Sequence, residues 1–142
     1  MSRQLDELLS LRDLALEEAT NRLELSDEHM EGGLQYEGLK GVTMAHNPER
    51  HPGRFYFRDG RLAMLYVANP GLDAGTLERD LGEPDVTLRS RAGKGYAHHV
   101  YADRGVAYSS KGDHVAFIEL FPPTSVERYE QEIYEDPGAF TR

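Results

Sequence analysis

Residues 86–121 constrain the fold most. Val86–Arg91, Tyr96–Ala102, Val106–Ser109 and His114–Phe121 read as four short β-rich runs, separated only by Ala92-Gly93-Lys94-Gly95, Asp103-Arg104-Gly105 and Lys111-Gly112. Connections this tight leave no room for a crossover, so neighbouring strands must run antiparallel as a meander. Pro122-Pro123 then stops the sheet. Upstream, Phe55–Ala68 predicts a hairpin around Asp59-Gly60, closed by Asn69-Pro70-Gly71. The fold class that follows is α+β: an antiparallel meander sheet with an N-terminal, a short middle and a C-terminal helix packed on one face.

The helices come from periodicity and caps. Residues 3–24 predict one helix, with Leu5, Leu8, Leu9, Leu16, Ala19 and Leu23 on a core stripe. Leu11, Leu14 and Leu25 fall on its opposite side. A helix with such a second patch is kinked, sandwiched between layers, or packed against a second subunit, with the following loop as the plainest cover. Asp73 caps a helix over 74–81, with Gly82 as its stop and Pro84 barring continuation. Thr124 and Glu127 have capping-box spacing for a closing helix to about Glu135, whose inward stripe is Val126, Tyr129 and Ile133. Residues 26–54 are rich in Gly, Pro and charge, and are expected to hold one or two short strands or a helical turn around a clear loop at His46–Gly53. Residues 136–142 read as a tail with Phe140 as an anchor, and 1–142 as a single domain.

Residues 56–70 and 108–122 echo one another: Tyr, a Gly turn, an aliphatic residue, Ala, two large apolar residues, then Pro. Two readings stay open, a hairpin–helix unit used twice in one sheet, or shared turn chemistry alone. Leu72–Pro84, a short helix closing on Leu81-Gly82-Glu83-Pro84 before a meander, resembles a motif of the small outer-membrane-assembly lipoproteins. It also resembles the repeat of secreted β-lactamase inhibitor proteins. Both are tandem helix-plus-sheet domains that bind other proteins, and the resemblance implies a binding module. The chain departs from them in lacking cysteine, and so a lipid-acceptor cysteine and a disulfide, and no leader is expected.

With no cysteine, thiolate zinc sites, iron–sulfur clusters and a cysteine nucleophile are excluded. A formal charge of −9 opposes nucleic acid and anionic membrane surfaces. An acidic N-terminus and the lack of a long apolar run predict a cytoplasmic protein. No dinucleotide, phosphate-loop, zinc-protease or serine-elbow motif occurs, and no cofactor is expected.

The candidate site rests on register. A two-residue Lys111-Gly112 turn sets Ser109 opposite His114, and pairing Ala102 with Val106 sets His99 opposite Ser109. One sheet face then carries Val100, Val106, Tyr108, Val115, Phe117 and Phe121 as core. The other carries a row of His99, Ser109 and His114, with Tyr101 beside it. That row is either a half-polar outer face, a ligand site, or a metal site completed from His46 and His51; a serine flanked by histidines also has the atoms of a hydrolase. Glu119, among phenylalanines, is either paired with an arginine or an acid of raised pKa. Arg89, Arg91 and Lys94 mark a basic hairpin tip, and with Leu11 and Leu14 form a candidate interaction surface. The leading expectation is a non-enzymatic protein-binding or adaptor module with a protein partner or as a homodimer. The alternative is small-ligand or metal binding on the His99/Ser109/His114 face, with a hydrolase third.

Overall fold

The computed structural model describes residues 2–140, with side chains through Gly138. The fold is α+β, built on an eight-stranded antiparallel sheet in the order β1-β2-β3-β4-β8-β7-β6-β5. The strands are β1 (Met30–Tyr36), β2 (Leu39–Ala45), β3 (Arg54–Arg58), β4 (Arg61–Ala68), β5 (Val86–Arg89), β6 (Ala97–Tyr101), β7 (Val106–Lys111) and β8 (His114–Leu120). Two four-stranded meanders therefore meet where β4 pairs with β8, Leu65 opposite Leu120 and Tyr66 opposite Glu119.

The echoing hairpins are β3–β4 and β7–β8, and they lie in this one sheet. Their outgoing strands match in orientation: Leu62 and Val115, like Leu65 and Ile118, enter the same apolar cluster. Their incoming strands do not match, because Tyr108 joins that cluster and Tyr56 the opposite one. Register shifts at Tyr56/Phe57 and at Ser109/Ser110 rephase the strands at those points.

The expected N-terminal helix is two helices, α1 (Arg3–Ser10) and α2 (Leu16–Arg22), with a turn between them. The turn is pinned by Ala15, which bridges to Arg61, and by the Leu16 amide bonding the Gly60 carbonyl at 3.0 Å. The break answers the second leucine patch. It drops Leu14 into the core at 4% exposure, with Leu25 buried and Leu11 half-buried against the same cluster. Leu14 thus packs mainly into the core. α3 (Ala74–Leu81) begins where Asp73 accepts from the Thr76 amide at 2.7 Å and ends at Gly82, as the caps predict. Residues 26–54 hold a 3-10 turn at Asp27–His29 and the β1–β2 hairpin.

The helices do not all share a face. Leu5, Leu14, Ala19 and Leu23 from the N-terminal pair join Leu77 and Leu81 of α3 over one side of the sheet. The C-terminal segment covers the other: α4 (Val126–Arg128) runs into a single π turn, Tyr129–Ile133. Its cap is Ser125, one residue later than expected, accepting from the Arg128 amide at 3.1 Å. Tyr129 and Ile133 pack with Tyr36, Val42, Tyr56, Met64, Val100 and Phe121 in a second cluster. The result is three layers, helices, sheet and a C-terminal strap. The expected Phe140 anchor lies outside the described side chains. No helix among the described residues is long and apolar enough to cross a membrane.

Candidate functional site

Both register expectations around β7 fail, by one residue on the β6 side and, on the β8 side, by two residues and then three past the register shift. The 3-10 turn Ala102–Arg104 makes Tyr101, and not Ala102, the partner of Val106, so His98 stands opposite Ser109 and His99 opposite Tyr108. On the other side Lys111 pairs with His114 and, past the register shift, Ser109 pairs with Phe117. A one-residue slip moves every side chain to the opposite face. The row His99/Ser109/His114 does not form. Its residues divide between the two faces of the sheet.

Under the strap lies the row that does form, and it is polar. Ser109 and Glu119 are 0% exposed and His98 3%. The Ala92 amide donates to Ser90 Oγ (3.0 Å), and Ser90 Oγ donates to Ser109 Oγ (2.7 Å). Ser109 Oγ meets His98 Nδ1 at 2.7 Å, His98 Nε2 meets the Tyr129 hydroxyl at 2.7 Å, and that hydroxyl donates to Glu119 Oε1 at 2.6 Å. Each hydroxyl has one proton, so the end fixes the rest. Tyr129 gives its proton to Glu119 and must accept from His98 Nε2–H; Nδ1 then accepts from Ser109. The donors form a one-way chain ending on a carboxylate. Burial works against charge on Glu119, but His98, Arg91 and the Tyr129 hydrogen bond outweigh it and hold its pKa below the ordinary value. Ser109 here is sealed from solvent with both its bonds made, which is not the setting of a nucleophile.

Arg91 completes this layer. Its guanidinium lies over the rings of Phe117 (4.5 Å), Tyr36 (4.9 Å) and Tyr66 (5.5 Å). It donates to the Tyr36 hydroxyl at 2.9 Å, and Tyr36 in turn donates to Glu119. It pairs with Glu37 at 2.6 Å and approaches Glu119 at 3.9 Å. Arg91 is therefore an internal counter-ion more than a docking residue. Glu119 takes the arginine-paired option. Burial pushes Glu37 up to about 7, with Arg91 opposing. Arg89 is likewise engaged: it faces Asp136 at 3.7 Å, and its carbonyl accepts from the Tyr134 hydroxyl at 2.6 Å. Lys94 stays exposed in the β5–β6 loop.

The helix side of the sheet carries the open site. α3 leaves the β5–β6 margin uncovered, and a cleft of about 670 Å³ lies there. Its lining includes Glu78, Thr87, His99, Tyr101, Tyr108 and Ser110. Two residues expected to bind ligand, His99 and Tyr101, thus share a cavity, while Ser109 lies on the opposite face. His114 sits outside this cleft, in edge contact with Tyr96 at 6.1 Å. His99 is held between Ser110 Oγ (3.2 Å) and Thr87 Oγ1 (3.4 Å), with its ring 4.9 Å from that of Tyr108. Tyr101 stacks on the far side of Tyr108 at 6.1 Å and donates to the Gly82 carbonyl. Burial, then His98, holds His99 below its ordinary pKa. Alternation along β6 assigns His98 and His99 to opposite faces; what sequence reasoning missed was which of them faces Ser109.

The four histidines expected to share a metal do not converge. His46 and His51 bond Gly53 in the loop before β3 (3.0 and 2.8 Å), and His51 packs edge-on against Phe55. Among the described residues no group of three or more His, Asp or Glu is placed to hold a metal ion. Comparison with family models, with curated proteins and with solved structures returns no match for this chain.

Proposed function

We propose that this protein is a non-enzymatic binding module whose site is the cleft walled by Thr87, His99, Tyr101, Tyr108 and Ser110. The observation that carries this reading is the division of the histidines. His98 spends both nitrogens inside a buried chain, whereas His99 lines an open cavity. A concave site with an aromatic wall and a few convergent polar groups is the usual form of a small-ligand pocket. The acidic composition suits a cytoplasmic setting without nucleic acid or membrane as partner.

A protein partner is the second reading. It is supported by a groove of about 460 Å³ between α1, α2 and the loop before β3, lined by Leu8, Leu11, Leu23 and Val67. A thermal-shift screen of small amines, acids, sugars and phosphates separates the readings, because a ligand binding only the folded state raises the midpoint by mass action. The expected result is a hit that weakens in His99→Gln. A flat screen, or a hit indifferent to that change, overturns the cleft reading.

A further inference from the structure

Charge and ring placement at the cleft narrow the ligand class. We propose that it binds a primary ammonium group, of a free amine or of a lysine side chain, between the His99–Tyr108–Tyr101 wall and the carboxylates of Glu78 and Glu83. This rests on the ligand-binding reading of the same cleft.

The three rings form a continuous wall, with centroids 4.9 and 6.1 Å apart in sequence. Aromatic faces are negative and attract ammonium ions. Glu78 and Glu83 line the same cavity, and neither carboxylate has an ion-pair partner among the described residues. The negative field enters the cavity: Glu78 adds to the upward pull on Tyr101 and Tyr108 and opposes the downward pull on His99. A cleft lined by one sign of charge concentrates counter-ions of the other.

No lysine or arginine belongs to the lining. Two cations flank it. Lys111 lies along Gly95 at one lip, and Arg104 bonds the Leu81 carbonyl beyond Tyr101 at the other. Burial lowers the pKa of His99 and so disfavours positive charge between them. Thr87 and Ser110 supply hydroxyl oxygens that accept from an ammonium's three protons. An anion meets two unpaired carboxylates there and gains no counter-ion within the lining.

The test is an NMR titration of the full chain with n-butylammonium, with butyrate as the anion of equal length, and with a capped Gly-Lys-Gly peptide. The expected result is a saturable shift of His99, Thr87 and Ser110 with butylammonium, with the peptide, or with both; which of them binds tells a free amine from a side chain. Glu78→Gln/Glu83→Gln changes two exposed side chains and is expected to weaken binding at least about fivefold. Equal binding by that variant overturns the proposal. So does butyrate binding at these residues in place of the ammonium, although the ligand-binding reading then stands. If no probe perturbs His99 up to about 50 mM while the chain remains folded, the ammonium proposal falls. The screen above then decides the cleft reading separately.

Discussion

The Arg91 guanidinium and the Glu37 carboxylate meet at 2.6 Å from opposite margins of the sheet. Arg91 follows edge strand β5, and Glu37 follows edge strand β1. In a flat sheet those strands would stand about 34 Å apart. Curling brings the margins together, and the strap fills the hollow: the Gly38 amide bonds the Ile133 carbonyl at 2.9 Å, and the Tyr134 hydroxyl bonds the Arg89 carbonyl at 2.6 Å. The mixed polarity of this face is thus answered within the chain. Removing Arg91 leaves Glu37 and Glu119 without their counter-ion. Arg91→Leu is expected to cost about 3 kcal/mol by urea denaturation. A loss under about 0.5 kcal/mol would mean the clasp is a surface pair.

Glu37 gives the clasp a pH dependence. Its carboxyl is raised from 4.5 to about 7. Between those values the folded chain holds a proton that the unfolded chain has released, so this group's stabilisation is complete below about pH 4.5 and lost as pH rises through about 7. The loss is up to about 3 kcal/mol. His51 and His99, held low by burial, act oppositely near neutral pH. The readout is therefore the difference between wild type and Glu37→Gln. The variant is expected to gain on wild type from about pH 5 to about pH 8. Parallel pH profiles would contradict this assignment.

The hydrogen-bond chain predicts a graded series. Tyr129→Phe removes the donor to Glu119 and the acceptor for His98 together, and is expected to cost about 2–3 kcal/mol. Ser90→Ala removes a donor near the chain's start and is expected to cost about 1 kcal/mol. Urea midpoints in the reverse order would mean that the chain does not end on Glu119.

How far this was legible in the sequence depended on where irregularity fell. Asp73 and Gly82 bound α3 and Asp59-Gly60 forms its turn, whereas the turn read at Lys111-Gly112 lies one residue later, at Gly112-Asp113. Local chemistry decides such features, and one chain displays it. The second leucine patch allowed a kink in the N-terminal helix, but its place was hidden, because Arg61 and Gly60, far along the chain, make it. Register was hidden as well. The 3-10 turn at Ala102–Arg104 moves the β6–β7 pairing by one residue and alone exchanges His99 for His98, while the turn position and the shift at Ser109/Ser110 displace His114 from Ser109, all with no composition signal. Two ligand-binding expectations, His99 and Tyr101, nevertheless fall on one cavity, since alternation keeps them on one face whatever the register.

The strap's seating is testable at Gly38. A Cβ there would stand 2.8 Å from the Glu132 carbonyl oxygen, closer than packing permits. Gly38→Ala is expected to push the π turn away and cost about 1–3 kcal/mol. Hydrogen exchange at the Tyr134 amide, bonded to the Tyr129 carbonyl at 2.8 Å, reports it directly. Unchanged protection at that amide would show that the strap does not lean on the hairpin.

The functional account stands or falls on where a ligand lands. Amide and imidazole NMR shifts, recorded with whichever compound raises the melting temperature, map that place. The account predicts shifts centred on Glu78, Thr87, Ala97, His99 and Ser110. Shifts centred instead on Leu8, Leu11 and Leu23, or on Tyr36, Arg91 and Tyr134 beneath the strap, would contradict it.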